Sequence, residues 1–224
     1  MGEDIRLTAG DGHEVDAYLA RPAGTARGGV VVIQEIFGVN GHIRDVCERF
    51  AGEGYLAVAP AIFDRAERGV QLDYTPDGMT QGRGIRAKID MNDVIKDVSA
   101  AADRAAEGGK VGIVGYCWGG LIVYVSACRL GDKLVCASGY YGANIKTYLS
   151  ETPAVPTILH FGTLDASIPM NEVEDIRAAH PDVVVNVYEG ADHGFNCDQR
   201  KQFHPDAAKL AQERTLALFA EHLS

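Results

Sequence analysis

The most informative absences in this sequence of 224 residues concern charge and long apolar runs. No run of Lys and Arg is present to follow a phosphate backbone, and 21 basic against 31 acidic residues give a net charge of −10. No stretch approaches the roughly 18 to 20 apolar residues that a membrane-spanning helix needs. We therefore expect neither nucleic acid nor membrane as a partner.

Cysteine is also sparse. The five cysteines are odd in number, scattered and without a C-x-x-C pair, so we expect neither a disulfide framework nor a structural zinc site. The polar start MGEDIRLTAG has no apolar signal-peptide core. This predicts a cytoplasmic location.

Short apolar segments recur along the chain and predict strands. Two alternating segments, 4–8 and 14–20, flank the turn-forming Gly10-Asp11-Gly12 and predict a hairpin. The later runs are continuously apolar, as in strands buried on both faces of a parallel sheet. They lie at 28–34, 55–59, 110–115, 134–138, 156–161 and 183–188.

Segments with apolar residues at helical spacing separate these strands, at 42–53, 91–107, 118–130, 170–180 and 206–223. The alternation predicts an α/β fold: a mainly parallel sheet of about eight strands, helices on both faces and an antiparallel N-terminal hairpin. We expect one domain over 1–224. The irregular stretch 61–90 is too long for a plain connection and is expected to be a lid or substrate loop.

The segment KVGIVGYCWGGLIVYVSA at 110–127 carries the strongest chemical signal. It has the form of a nucleophile elbow, G-x-nucleophile-x-G between a strand and a helix, with Cys117 where Ser is usual. The sharp turn strains Cys117 and leaves no room for side chains at Gly115 and Gly119. A helix N-terminus favours thiolate there, and the Trp118 amide would face a developing oxyanion. The alternative is a small buried cysteine in an ordinary turn.

Partners for a cysteine nucleophile follow in the chain order usual for this elbow: nucleophile, acid, histidine. Asp165 lies in HFGTLDASIP just after a predicted strand, and His193 lies in EGADHGFN after the next one. The alternatives are a turn or N-cap aspartate and a solvated histidine. A metal site grouping His193 with Cys197, Asp198 and His204 matches no zinc motif, so we expect no metal.

The segment QEIFG at 34–38 follows the first buried strand. In this kind of fold the loop supplies a second oxyanion amide, here assigned to Ile36. Glu35 beside it is unusual. It either acts on the cysteine or pairs with a nearby arginine such as Arg44.

Together these segments resemble the dienelactone hydrolases (carboxymethylenebutenolidases), a cysteine branch of the α/β-hydrolase fold, over nearly the whole chain. The motifs are DGH at 11–13, QEIFGVN at 34–40, GYCWGG at 115–120, GYYG at 139–142, the Asp165 loop and GADHGF at 190–195. The resemblance implies cofactor-free hydrolysis of a small lactone or ester, with Phe37 and Phe195 at the substrate. It favours a monomer.

The same resemblance implies a role for each catalytic residue. Cys117 attacks the carbonyl, His193 transfers protons and Asp165 orients His193. Glu35 is tied to the resting thiol, is displaced by substrate and then takes the thiol proton, which would protect the cysteine from oxidation. Water then hydrolyses the acyl-enzyme.

The chain departs from the family where the substrate carboxylate is recognised. Cys197 stands where an arginine is expected a few residues past the catalytic histidine. Arg83, Arg86 or Arg200 would take its place, because one guanidinium that binds both carboxylate oxygens is enough to hold the substrate carboxylate. The alternative is that these arginines are solvated. Three other functions are consistent with this change in carboxylate recognition. They are a thioesterase, a general carboxylesterase and a non-catalytic relative that binds a small hydrophobic ligand.

Overall fold

A computed structural model describes residues 2–223 and places eight strands in one sheet, in the order β1-β2-β4-β3-β5-β6-β7-β8. β1 pairs antiparallel with β2, and β2 antiparallel with β4, whereas all later pairs are parallel. The predicted hairpin and parallel sheet are confirmed. The strands are β1 (Glu3–Thr8), β2 (Glu14–Ala20), β3 (Gly29–Ile33), β4 (Leu56–Pro60), β5 (Val111–Tyr116), β6 (Cys136–Tyr140), β7 (Thr157–Gly162) and β8 (Val184–Tyr188).

Helices cover both faces of the sheet, as predicted. A side chain at Gly112 of β5 would collide with Phe219, and one at Gly115 with Val123, so these two positions face helices on opposite sides. The helices are α1 (Gly41–Gly52), α2 (Pro76–Arg86), α3 (Met91–Ala105), α4 (Trp118–Arg129), α5 (Met170–Ala179) and α6 (Pro205–Leu223). Within 2–223, none combines the length and apolar character needed to cross a membrane.

The expectation that 61–90 is irregular is wrong. The segment contains a short 3-10 helix, Ile62–Arg65, and all of α2. Thr75 caps α2 by accepting a hydrogen bond from the Gly78 amide, and Pro76 begins the helix. Three glycines within α2 lower its intrinsic helix propensity, so packing rather than composition holds it. The segment thereby forms a wall beside the carboxyl edge of the sheet.

Candidate active site

Cys117 occupies a strained turn between β5 and α4. Its φ is 57° and its ψ −116°, and its amide donates to the Tyr140 carbonyl at 3.0 Å. A Cβ at Gly115 would lie 2.4 Å from the Gly119 carbonyl oxygen, and one at Gly119 would lie 2.5 Å from that of Ile33. Both predicted properties of the elbow, a strained conformation at the cysteine and the steric need for the two glycines, are confirmed.

His193 and Asp165 lie together at the same edge of the sheet. Asp165 follows β7 and His193 follows β8, and the His193 Nδ1 is 2.7 Å from the Asp165 Oδ2. The other oxygen of Asp165 accepts the Ser167 amide at 2.8 Å. The carboxylate is buried and held at both oxygens, so it fixes the imidazole orientation.

The Cys117 sulfur is the second partner of His193. Burial alone would lower the pKa of His193, but the charge and hydrogen bond of Cys117 and the hydrogen bond to Asp165 outweigh it, raising the pKa to about 10. The imidazole is therefore protonated at neutral pH when the sulfur is a thiolate. Such an ion pair is the reactive form of a cysteine nucleophile.

A cavity of about 310 Å³ opens over Cys117 and His193. Its size fits a small organic molecule, and its wall combines apolar and cationic side chains. Residues from the loop after β3, from α2 and from the loop after β8 line it: Ile36, Phe37, Met79, Arg83, Arg86, Cys117, Ala143, Asn144, Ser167, Asp192, His193, Arg200 and Gln202.

Glu35 is almost fully buried and bound to two partners. Arg200 donates to its Oε1 at 3.1 Å and the Tyr74 hydroxyl to its Oε2 at 2.8 Å. Arg44, the partner considered from the sequence, instead pairs with Asp4 at 2.7 Å. The predicted pairing of Glu35 with an arginine is therefore met by Arg200, and only the named example, Arg44, is wrong.

The other predicted substrate residues divide into two groups. Phe37, Arg83, Arg86 and Arg200 line the cavity. Phe195 does not: it is fully buried, with its ring centroid 5.3 Å from that of Tyr141, and we withdraw it as a substrate contact. The loop after β8 turns its side chain into the core two residues after His193.

The two residues predicted to supply the oxyanion amides come from separate parts of the chain. Trp118 is the first residue of α4, where the amides have no helical acceptor. Ile36 follows β3 and lines the cavity. A Cβ at Gly82 would lie 1.9 Å from the Ile36 carbonyl oxygen, so α2 presses directly on this loop.

Two parts of the site were not predicted from the sequence. Tyr74 and α2 both come from the segment taken as irregular, and the Thr75-Pro76-Asp77 cap was the signal that could have located the helix.

The structure does not bring together the four residues considered from the sequence as a metal site. His193 is bound to Asp165, while the His204 Nδ1 accepts the Ala207 amide at 3.3 Å.

Comparison with known proteins identifies the family of this chain. The sequence model of the dienelactone hydrolase family matches residues 15–223. A Synechocystis sp. protein provisionally named carboxymethylenebutenolidase is 39% identical, over 94% of this chain and 93% of its own. The Pseudomonas putida carboxymethylenebutenolidase is 33% identical, over 98% and 97%.

Comparison with solved structures indicates the same family. A Klebsiella pneumoniae protein provisionally described as a dienelactone hydrolase has a TM-score of 0.86 and 32% identity, with 99% of each chain covered. The family match spans both the fold and the segments that carry the cavity. The chain therefore belongs to the dienelactone hydrolase family and is a carboxylic ester hydrolase of lactones or esters.

Proposed function

We propose that this protein hydrolyses a small, carboxylate-bearing lactone of the dienelactone type through a Cys117–His193–Asp165 triad. The observation that carries the proposal is the strained Cys117 beside an imidazole whose other nitrogen lies 2.7 Å from a buried carboxylate, all at one cavity. The constellation has the nucleophile, base and orienting acid that acyl transfer requires. The product is the ring-opened acid.

Acylation begins when the Cys117 thiolate attacks the lactone carbonyl. The amides of Trp118 and Ile36 stabilise the oxyanion, and the His193 imidazolium protonates the leaving oxygen as the ring opens. The N-terminal position of Trp118 on α4 and the place of Ile36 at the cavity wall support these roles. The result is a thioester between Cys117 and the opened substrate.

Deacylation uses the same imidazole as a base. Once the sulfur is acylated, the strongest influence that raises the pKa of His193 is gone, while its burial, which lowers the pKa, remains. His193, neutral after giving up its proton, can then take one from water. The loss of the thiolate charge thus converts the acid of the first step into the base of the second.

Glu35 serves in the proposal as the acceptor of the Cys117 proton, while His193 takes up a proton from solvent once the thiolate charge has raised its pKa. After deacylation releases the thiolate, Glu35 returns its proton to the sulfur and His193 releases its proton to solvent. Arg200 supports this role because its charge acts on both the Glu35 carboxylate and the Cys117 sulfur. A substrate carboxylate that draws on Arg200 would loosen its hold on Glu35 and free Glu35 to approach the thiol. Activation would then occur only with substrate present, which limits oxidation of the sulfur.

Two arginines support an anionic substrate. Arg83 and Arg86 line the cavity, and within residues 2–223 neither forms an ion pair. Arg86 lies over the Trp118 ring, 5.8 Å from its centroid. Unpaired guanidinium groups at a cavity in a chain of net charge −10 are suited to capture a carboxylate.

The test is the loss of ultraviolet absorbance when purified protein is mixed with dienelactone. Wild type should turn the lactone over, and Cys117→Ala should lose at least about 10⁴-fold in kcat because the nucleophile is gone. Cys128→Ala is the matched control, since Cys128 lies in α4 away from the cavity. Activity retained in Cys117→Ala would refute the mechanism. Turnover of neutral esters or thioesters alone would refute the substrate class.

A further inference from the structure

A second cluster of reactive side chains joins Glu35 to two residues, His42 and Cys197, that have no part in the proposed hydrolysis. Glu35, His42 and Cys197 each offer one donor atom, and these atoms lie within 4.8 Å of one another. They come from the loop after β3, from α1 and from the loop after β8. All three residues are buried, so they face one another rather than solvent.

His42 is the unusual member. It is fully buried, and among residues 2–223 neither of its ring nitrogens has a hydrogen-bond partner. Its Nδ1 lies 3.5 Å from the Asp198 Oδ1, and Arg49 holds the other oxygen of that carboxylate at 2.6 Å. A buried imidazole normally has hydrogen-bond partners, so the unpartnered Nε2 of His42 is available to a ligand.

We propose that Glu35, His42 and Cys197 form a binding site for a borderline-soft divalent cation of the zinc class. Carboxylate, imidazole and thiolate are the donors that such cations prefer, and three protein ligands leave a fourth position open. Ligand atoms around tetrahedral zinc lie roughly 3 to 4 Å apart, so small side-chain rotations close the observed spacing. The cation replaces the Cys197 thiol proton, which passes to solvent.

Asp198 supports the site without binding the cation itself. Ligating histidines usually direct their other nitrogen toward a carboxylate, which fixes the ring and strengthens the metal bond. The Asp198 carboxylate lies on the Nδ1 side of His42 and leaves Nε2 for the cation. Glu35 and the Cys197 thiolate together balance the charge of a dication.

Occupancy would inhibit the enzyme. A cation that binds Glu35 takes it from Arg200 and Tyr74, its partners in the metal-free site, and prevents it from accepting the Cys117 proton. Inhibition rests on the proposed function, whereas binding does not. The experiment therefore measures binding in a chain without the nucleophile, so that either claim can fail alone.

The probe is Cd²⁺, added to Cys117→Ala, with the sulfur-to-cadmium charge-transfer absorbance followed in the ultraviolet. We expect a band that saturates at one equivalent and is displaced by Zn²⁺. The double variant Cys117→Ala/Cys197→Ser keeps the other three cysteines and should lose the band. An equal band in both proteins, or none in Cys117→Ala, would overturn the site.

Two further measurements keep the result independent of any one variant. Asp198→Asn in the Cys117→Ala background should weaken Cd²⁺ binding roughly 10- to 100-fold, because the carboxylate that orients the ligating histidine is lost, and an unchanged affinity would refute the assigned geometry. In active protein, Zn²⁺ should inhibit wild type more than Cys197→Ser, each relative to its own metal-free rate, with recovery on chelation. If the cation binds but Zn²⁺ inhibits wild type and Cys197→Ser equally, the inhibitory role is refuted and the binding site stands.

Discussion

Two buried arginine–carboxylate pairs in this molecule differ in how many hydrogen bonds the arginine makes to carboxylates. Arg65 contacts both oxygens of Asp97, at 2.9 and 2.6 Å, and also both oxygens of Asp11. Arg200 makes one hydrogen bond to Glu35, at 3.1 Å. The two guanidinium side chains are equally exposed, at 10%. Burial therefore does not distinguish the pairs, whereas the number of partners does.

The difference separates a structural pair from an exchangeable one. Arg65 ties the turn of the N-terminal hairpin to α3 and is not part of the cavity wall, and a bidentate pair of this kind fixes both groups. Arg200 lines the cavity and lies near the faces of Phe37 and Tyr74, with donors left over for a ligand. An arginine with spare donors beside a nucleophile can exchange one carboxylate for another.

Removing the structural arginine should give the largest loss of stability. In Arg65→Met, Asp97 stays buried without a counter-charge, and we expect the free energy of unfolding to fall by about 3 kcal/mol, the low end for such a change because Arg65 reaches the surface. Urea denaturation measures this. The folded fraction should keep its kcat, and a loss of activity larger than the loss of folded protein would break the distinction.

Replacing the carboxylate of the exchangeable pair should act on turnover instead. Glu35→Gln keeps the shape and the Tyr74 contact but cannot accept a proton, so kcat should fall about 10²-fold or more while KM changes little. Steady-state kinetics with dienelactone separates the two constants. If kcat stays at the wild-type value, Glu35 is a structural partner of Arg200 and the proposed proton transfer is wrong.

The Asp165–His193 pair provides a pH test. The imidazolium is required in acylation and its pKa is raised by the thiolate that forms when substrate is bound, so kcat should decline as the pH rises through about 10, where His193 loses its proton. Asp165→Asn removes a hydrogen bond that raises this pKa, so the alkaline limb should move to lower pH. Asp192→Asn is the control, because the Asp192 carboxylate accepts from the His193 backbone amide rather than from the imidazole, and its replacement should leave the limb in place. A limb unmoved by Asp165→Asn would contradict the assignment.

Sequence patterns predicted these regions unequally, for physical reasons. Strand and helix positions follow from apolar periodicity, and the elbow at Cys117 is a local steric requirement, so both are readable from neighbouring residues. The partner of Glu35 is not local: it depends on where a loop 165 residues later folds, and Arg200 rather than Arg44 reaches it. Phe195 shows the same limit, since its burial depends on the aromatic rings packed around it.

The smallest effect should come from the arginine that pattern reasoning chose for Glu35. Arg44 pairs with Asp4, whose side chain is 70% exposed, and lies over the Tyr18 ring at 4.6 Å. Exposed ion pairs contribute at most about 1 kcal/mol, so Arg44→Gln should lower the free energy of unfolding by no more than that and leave kcat unchanged. A kcat loss in Arg44→Gln comparable to that of Glu35→Gln would mean that Glu35 exchanges partners during turnover.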